Sequence, residues 1–213
     1  MKVAIISDIH GNRQALEAVL ADIAEGSAQE LWCLGDLVGY GADPDACVEL
    51  ARENVDLCLA GNHDLAVAGK IPLDEFSRGA GIAVRWTQEV ISNESRDYLA
   101  TLRPSATRAD VGLYHASPRD EVWEYVLSAL LAELCFDAAR HRVNVIGHSH
   151  VALSFERPEG QPATGETRRE GSELDLREGE WLLNPGSVGQ PRDGDPRAAW
   201  MLLDTDRGRV SPA

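Results

Sequence analysis

The chain has no long apolar run, no paired cysteines and no cluster of basic residues, and each absence closes off a class of function. No stretch among its 213 residues approaches the roughly 20 consecutive apolar positions that cross a bilayer, so a membrane role is not expected. The opening MKVAII has too short an apolar part for a secretory leader, and no small-residue cleavage site follows it. Cys33, Cys47, Cys58 and Cys135 are isolated, with no C-x-x-C spacing and none of the density of a disulfide scaffold. Cys33 and Cys58 lie inside apolar runs, where a free thiol packs as a small hydrophobe. Together these features predict a cytoplasmic protein. Runs of five or six basic residues are missing too, and 35 acidic against 20 basic side chains give a formal net charge of −15. Such a surface repels phosphate backbones, so broad nucleic-acid binding is disfavoured. No G-x-S-x-G and no cysteine in a reactive motif supplies a protein nucleophile. With no repeat, low-complexity tract or linker, residues 1–213 are expected to form one domain. The pattern carries no signal for an oligomeric state.

What is present is an alternation of short apolar runs and amphipathic stripes. VAII (3–6) reads as a buried strand, and Leu16, Val19, Leu20 and Ile23 form a helical stripe stopped by Gly26. ELWCLGD reads as a second strand and DPDACVELAREN as a helix, with Asp43 as cap and Pro44 in the first position. VDLCLAGN is a third strand, so the first 64 residues run β-α-β-α-β. Residues 74–103 read as helical, the second part capped by Ser92 or Asn93. From 107 onward TRADVGLYHA, VNVIGH, VALSFER, SELDLRE, EWLLN and AAWMLLD read as short strands, with 157–173 as a polar surface loop or hairpin. The expected fold is α/β (α+β): two packed sheets with helices outside.

Chemistry collects where the strands stop. Asp8 and His10 follow the first strand, Asp36 the second, and Asn62, His63 and Asp64 the third. His115 ends a later strand, and His148 and His150 end another. Five of the six histidines fall in these clusters, and His141 is expected to be an exposed helix-end residue. Strand ends are where parallel α/β sheets converge on a crevice. In D-x-H and H-x-H, positions i and i+2 of an extended segment face the same side. Asp8, His10, Asp36, Asn62, His115, His148 and His150 make seven oxygen and nitrogen donors. Seven is too many for one tetrahedral zinc and suits two metals sharing a carboxylate. Carboxylate with imidazole and no thiolate favours Mn, Fe, Zn or Co.

The ordered set DIHGN, GDLVG, GNHD, a separate histidine and GHSH resembles the calcineurin-like metallophosphoesterase family, and NPGSVGQPR (184–192) is similar to its small bacterial phosphodiesterases and phosphatases. The resemblance spans residues 8–150 with no departure at a ligand position. It implies a β-sandwich flanked by helices and two divalent metal ions, Mn, Fe, Zn or Ni. Asp8, His10 and His150 would hold the first metal, with Asp36 bridging and Asn62, His115 and His148 on the second. The reaction implied is hydrolysis of phosphodiesters or phosphomonoesters by a metal-bridging hydroxide. The catalytic pair would be His63, acting as imidazolium on the leaving oxygen, and Asp64, orienting its ring and raising its pKa.

Arg13 and Arg192 are candidates for the substrate phosphate, and Asn12 for lining the site or capping a helix. Trp123 and Tyr125 could wall a nucleotide base, with core or helix packing the favoured alternative. The expected partner is a phosphoester, either a small molecule or a nucleotide. A protein serine/threonine phosphatase shares the metal signature, and a non-catalytic scaffold on the same fold is a further alternative.

Overall fold

The computed structural model describes residues 1–212. In chain order its elements are β1 (Lys2–Ile6), α1 (Arg13–Glu25), β2 (Glu30–Cys33), α2 (Pro44–Asn54), β3 (Leu57–Cys58) and α3 (Asn62–Val67). They continue as α4 (Arg78–Val90), α5 (Asn93–Thr101), β4 (Ser105–Arg108), β5 (Val111–Tyr114), α6 (Ala129–Ala138) and β6 (Val143–Val145). Last come β7 (Ala152–Arg157), β8 (Thr164–Thr167), β9 (Leu174–Asp175), β10 (Glu180–Pro185), β11 (Met201–Asp204) and β12 (Arg209–Pro212). One sheet runs β3-β2-β1-β11-β12-β9 and the other β4-β5-β6-β10-β7-β8. The two-sheet architecture with flanking helices is therefore present.

Strand periodicity decides which side chains meet between the sheets. Val3 and Ile5 point inward with Trp32 and Leu34, against Val111, Leu113, Val145, Trp181 and Leu183 of the second sheet. The alternate residues Ala4 and Ile6 point outward onto Leu16, Val19 and Val48 of α1 and α2. On the far side of the second sheet, Ala132, Cys135 and Phe136 of α6 cover Leu153, Phe155 and Leu182. The parallel pairs β1–β2, β2–β3 and β5–β6 direct five strand C-termini toward one edge of the sandwich. The polar clusters follow those ends.

Several elements are shorter than the sequence predicts. The third strand shrinks to Leu57–Cys58, because the chain leaves the sheet early to bring GNHD into the crevice. In 74–103 the first helix begins only at Arg78, and the second is capped as expected by Ser92, which accepts from the Ser95 N–H. The segment 157–173 is partly a hairpin, with β8 antiparallel to β7. All four cysteines are free, and Cys33, Cys47 and Cys135 are buried.

Candidate metal centre

The crevice is built by loops held in an unfavourable backbone conformation. Asp8, His10, Asp36, His148 and His150 all have φ between 51° and 62°, a left-handed geometry rare outside glycine. Five such residues at one place store strain that the surrounding structure must offset. The loops hold one another. Asp8 N–H donates to the Gly35 carbonyl, and His10 N–H to that of Asp36. The NPGSVGQPR segment braces the same region. Ser187 Oγ and the Gly189 N–H both donate to the Asp8 carbonyl, and the Arg192 N–H donates to that of His150. Gly61 sits so close to Asp36 that a β-carbon there would lie 2.0 Å from Asp36 Oδ1.

All seven expected donors converge, and all are buried. The donor atoms of Asp8, His10 and His150 lie within 4.8 Å of one another, as do those of Asp36, His115 and His148. Asn62 joins the second group, its Oδ1 3.2 Å from His115 Nε2. Asp36 Oδ2 stands 3.6 Å from both His10 Nε2 and His115 Nε2, between the two groups. His10, Asp36 and His63 form a third such set, so His63 is within donor range as well.

Backbone carbonyls fix the imidazole tautomers. Nδ1–H of His10 donates to Val38 O, that of His115 to Leu34 O and that of His150 to Gln190 O. A carbonyl only accepts, so each Nδ1 holds the proton and each Nε2 turns a bare lone pair to the crevice. The consequence is a surplus of lone pairs. His10 Nε2 and His150 Nε2 face each other at 3.1 Å, and His115 Nε2 faces the Asn62 oxygen. Asp8 Oδ1 and His148 Nε2 are buried with no partner at all. Burying unpaired acceptors together is costly unless a cation joins them, so the residues present fit divalent metal ions.

The titration behaviour has the same cause. Burial, then the charges of Asp64 and Asp8, pushes Asp36 well above the carboxylate range. Burial also raises Asp8, partly countered by His115. It lowers His10, His115 and His148, and brings His150 down to about 4.

Around His63 the structure departs from expectation. Asp64 was expected to orient the His63 ring, yet its oxygens accept the N–H groups of Gly61 (2.9 Å) and Val38 (3.2 Å). GNHD is a helix start rather than a plain turn: Gly61 caps α3, and Asp64 at the third helical position reaches back to it. The His63 ring instead packs on Tyr40, His10 and Phe76, with centroids 4.6, 4.9 and 5.1 Å away. Its pKa is not raised. Burial, with His115, His150 and Arg192 nearby, lowers it to about 3.

The secondary candidates separate. Arg192 is exposed, and its charge bears on Asp8, His10, Asp36, His63 and His150. Arg13 is spent on Glu17, 2.7 Å away on the exposed side of α1. Asn12 caps α1 by accepting from the Ala15 N–H and donates to the Gly189 carbonyl. It also lines a cleft of about 270 Å³ beside His10 and Tyr40. His141 is half-buried and pairs with Asp110, away from the donors. Tyr125, expected mainly as packing, is 45% exposed with its ring on His148. Tyr40 and Phe76 escaped sequence reasoning, and only the position of Tyr40 directly behind GDLVG pointed to it.

Residues 1–208 match the calcineurin-like phosphoesterase superfamily domain. The uncharacterized protein MJ0912 of Methanocaldococcus jannaschii is 39% identical over 216 residues, covering 95% of this chain and 82% of that protein. A metallophosphoesterase from Sphaerobacter thermophilus superposes with a TM-score of 0.88 at 41% identity, over 100% of this chain and 86% of the other. The hypothetical protein PH1004 of Pyrococcus horikoshii shares the fold at 18% identity, with a TM-score of 0.78 over 100% and 86% of the two chains. The chain belongs to the calcineurin-like phosphoesterase superfamily.

Proposed function

We propose that the chain hydrolyses phosphodiesters or phosphomonoesters of small molecules or nucleotides in the cytoplasm, using two divalent cations. The observation that carries this reading is the surplus of buried lone pairs on both sides of Asp36. Asp8, His10 and His150 would hold one cation, Asn62, His115 and His148 the other, and Asp36 would touch both. Such ions, of which Mn, Fe, Zn or Ni suit this donor set, supply an acidified water and neutralise phosphate oxygens.

The protein's own groups then position and protonate. Arg192 donates to Gln190 Oε1 but pairs with no carboxylate among the described residues, so its guanidinium can turn two donors to a phosphate from the open side. His63 stays neutral in the free site, because burial and neighbouring imidazoles keep the proton off. It therefore enters as an N–H donor to the leaving oxygen, and negative charge arriving with substrate draws its pKa upward. Asp64 acts one step back, holding the helix start that carries both Asn62 and His63.

The test is turnover of p-nitrophenyl phosphate and its bis ester with Mn, Ni, Zn or Fe added singly. Hydrolysis of at least one ester with at least one metal is expected. Failure of every combination would remove this reading.

A further inference from the structure

We propose that an aromatic rim beside the candidate metal centre docks a flat aromatic group carried by the phosphoester, a nucleobase or an aryl ring. This inference rests on the phosphoesterase reading and names the substrate class of the same site.

Three aromatic side chains from three separate segments pack on the imidazoles, and a fourth packs on one of them. Tyr40 follows β2, Phe76 precedes α4, and Trp123 and Tyr125 precede α6. The Tyr40 ring lies 4.8 Å from His10 and 4.6 Å from His63. Phe76 packs on His63, and Trp123 packs edge-on against Phe76 at 5.0 Å. Tyr125 lies 4.0 Å from His148, tilted by 31°. The rim thus touches one histidine of each donor group, His10 and His148.

Phe76 also packs against the core, but packing does not account for the two tyrosines. Tyr40 is 37% and Tyr125 45% exposed, leaving ring surface in water at the mouth of a charged crevice. Tyr40 also has a φ of 57°, a conformation unfavourable for a bulky residue, which holds its ring over His10 and His63. Arg192 lies beside the Tyr40 hydroxyl, so a phosphate bound by that arginine brings its substituent to the rim. The chain as a whole carries a formal net charge of −15. A neutral π face is not repelled by that field, and stacking on tyrosine or tryptophan tolerates any flat ring.

The variants are Tyr125→Leu, Trp123→Leu and the conservative Tyr125→Phe. Tyr125 is the safer site, because its exposure leaves little core to disturb. Binding of AMP, phenyl phosphate and ribose 5-phosphate is measured on metal-free protein by calorimetry and tryptophan fluorescence. Wild type is expected to prefer at least one aromatic ligand over ribose 5-phosphate by about tenfold, the factor that 1.4 kcal/mol of stacking gives. Tyr125→Leu should shrink that preference to about twofold, and Tyr125→Phe should restore it. Preference for AMP identifies a base, and preference for phenyl phosphate alone identifies an aryl ring. With metal added, the ratio of kcat/KM for the same compounds should fall in parallel. Equal affinity for all three ligands in wild type, or an undiminished preference in Tyr125→Leu, overturns the proposal. Absence of turnover with every metal would instead remove the phosphoesterase reading, and the binding series would still decide the rim.

Discussion

The backbone N–H of His63 donates to Asp36 Oδ1 at 2.9 Å, so one residue holds the central carboxylate by its main chain and faces the crevice with its ring. The two roles are separable, because truncating the side chain leaves the N–H in place. His63→Ala should retain two metals per chain by elemental analysis while kcat falls by about 10² to 10⁴, the range for a lost proton donor. Loss of a metal would make His63 a ligand, a role its place in the third donor set permits.

Gly39 offers a way to move that ring without deleting it. Its φ is 89°, and a β-carbon there would lie 2.2 Å from His63 Nδ1. Gly39→Ala should push the imidazole aside and lower kcat by about 10², the cost of a misplacement near 1 Å. Metal content should stay at wild-type level. In Gly61→Ala the added carbon strikes Asp36 itself, so metal is expected to be lost as well. Equal metal loss in both variants would show that the ring and the carboxylate are not independent.

The convergence of the seven donors was legible in the sequence because each cluster sits at a strand end, and strand ends reveal themselves as apolar runs closing on Gly and Asp. His10 and His150, 140 positions apart, were placed in one set through family resemblance, and the fold brings them to 3.1 Å. The partner of Asp64 was not legible. G-N-H-D suits a turn, an orienting pair or a helix cap equally well, and only the path of β2 into its loop puts the Val38 N–H within reach. Phe76 was invisible, and Tyr40 nearly so, for a related reason: a single aromatic carries no periodic signal, and its meaning comes from a neighbour distant in sequence.

Metal should stabilise the fold measurably. Without a cation, Asp8 Oδ1 and His148 Nε2 are buried and unpaired. A ligand at one hundred times its Kd adds about 2.7 kcal/mol. For a chain of this size that corresponds to a rise in Tm of about 5–10 °C. The check is calorimetry of metal-free protein with and without Mn, alongside Asp36→Asn. The variant should lose most of the rise, since Asn is uncharged and its one acceptor oxygen cannot both take the His63 N–H and face the two donor groups. An equal rise in the variant would place the stabilising ion elsewhere.

Asp64 gives a pH prediction whose sign can be worked out. Burial raises its pKa from 3.8 to about 6, only partly countered by the backbone N–H groups it accepts. A carboxyl with a raised folded pKa favours the fold fully below its unfolded value and loses that contribution as pH rises through the folded one. Metal-free wild type therefore gives up stability between about pH 4 and 6 at this residue. Asp64→Asn carries no proton to lose. The Tm of wild type minus that of Asp64→Asn should fall steadily as pH is raised from 4 to 7. A difference that grows instead would show that the Gly61 and Val38 donors outweigh burial and hold the carboxyl below 3.8. The kinetic arm separates capping from catalysis. If Asp64 only anchors α3, the pH profile of kcat keeps its wild-type shape in the metal-loaded variant. A displaced limb would mean that Asp64 governs the proton on His63 after all.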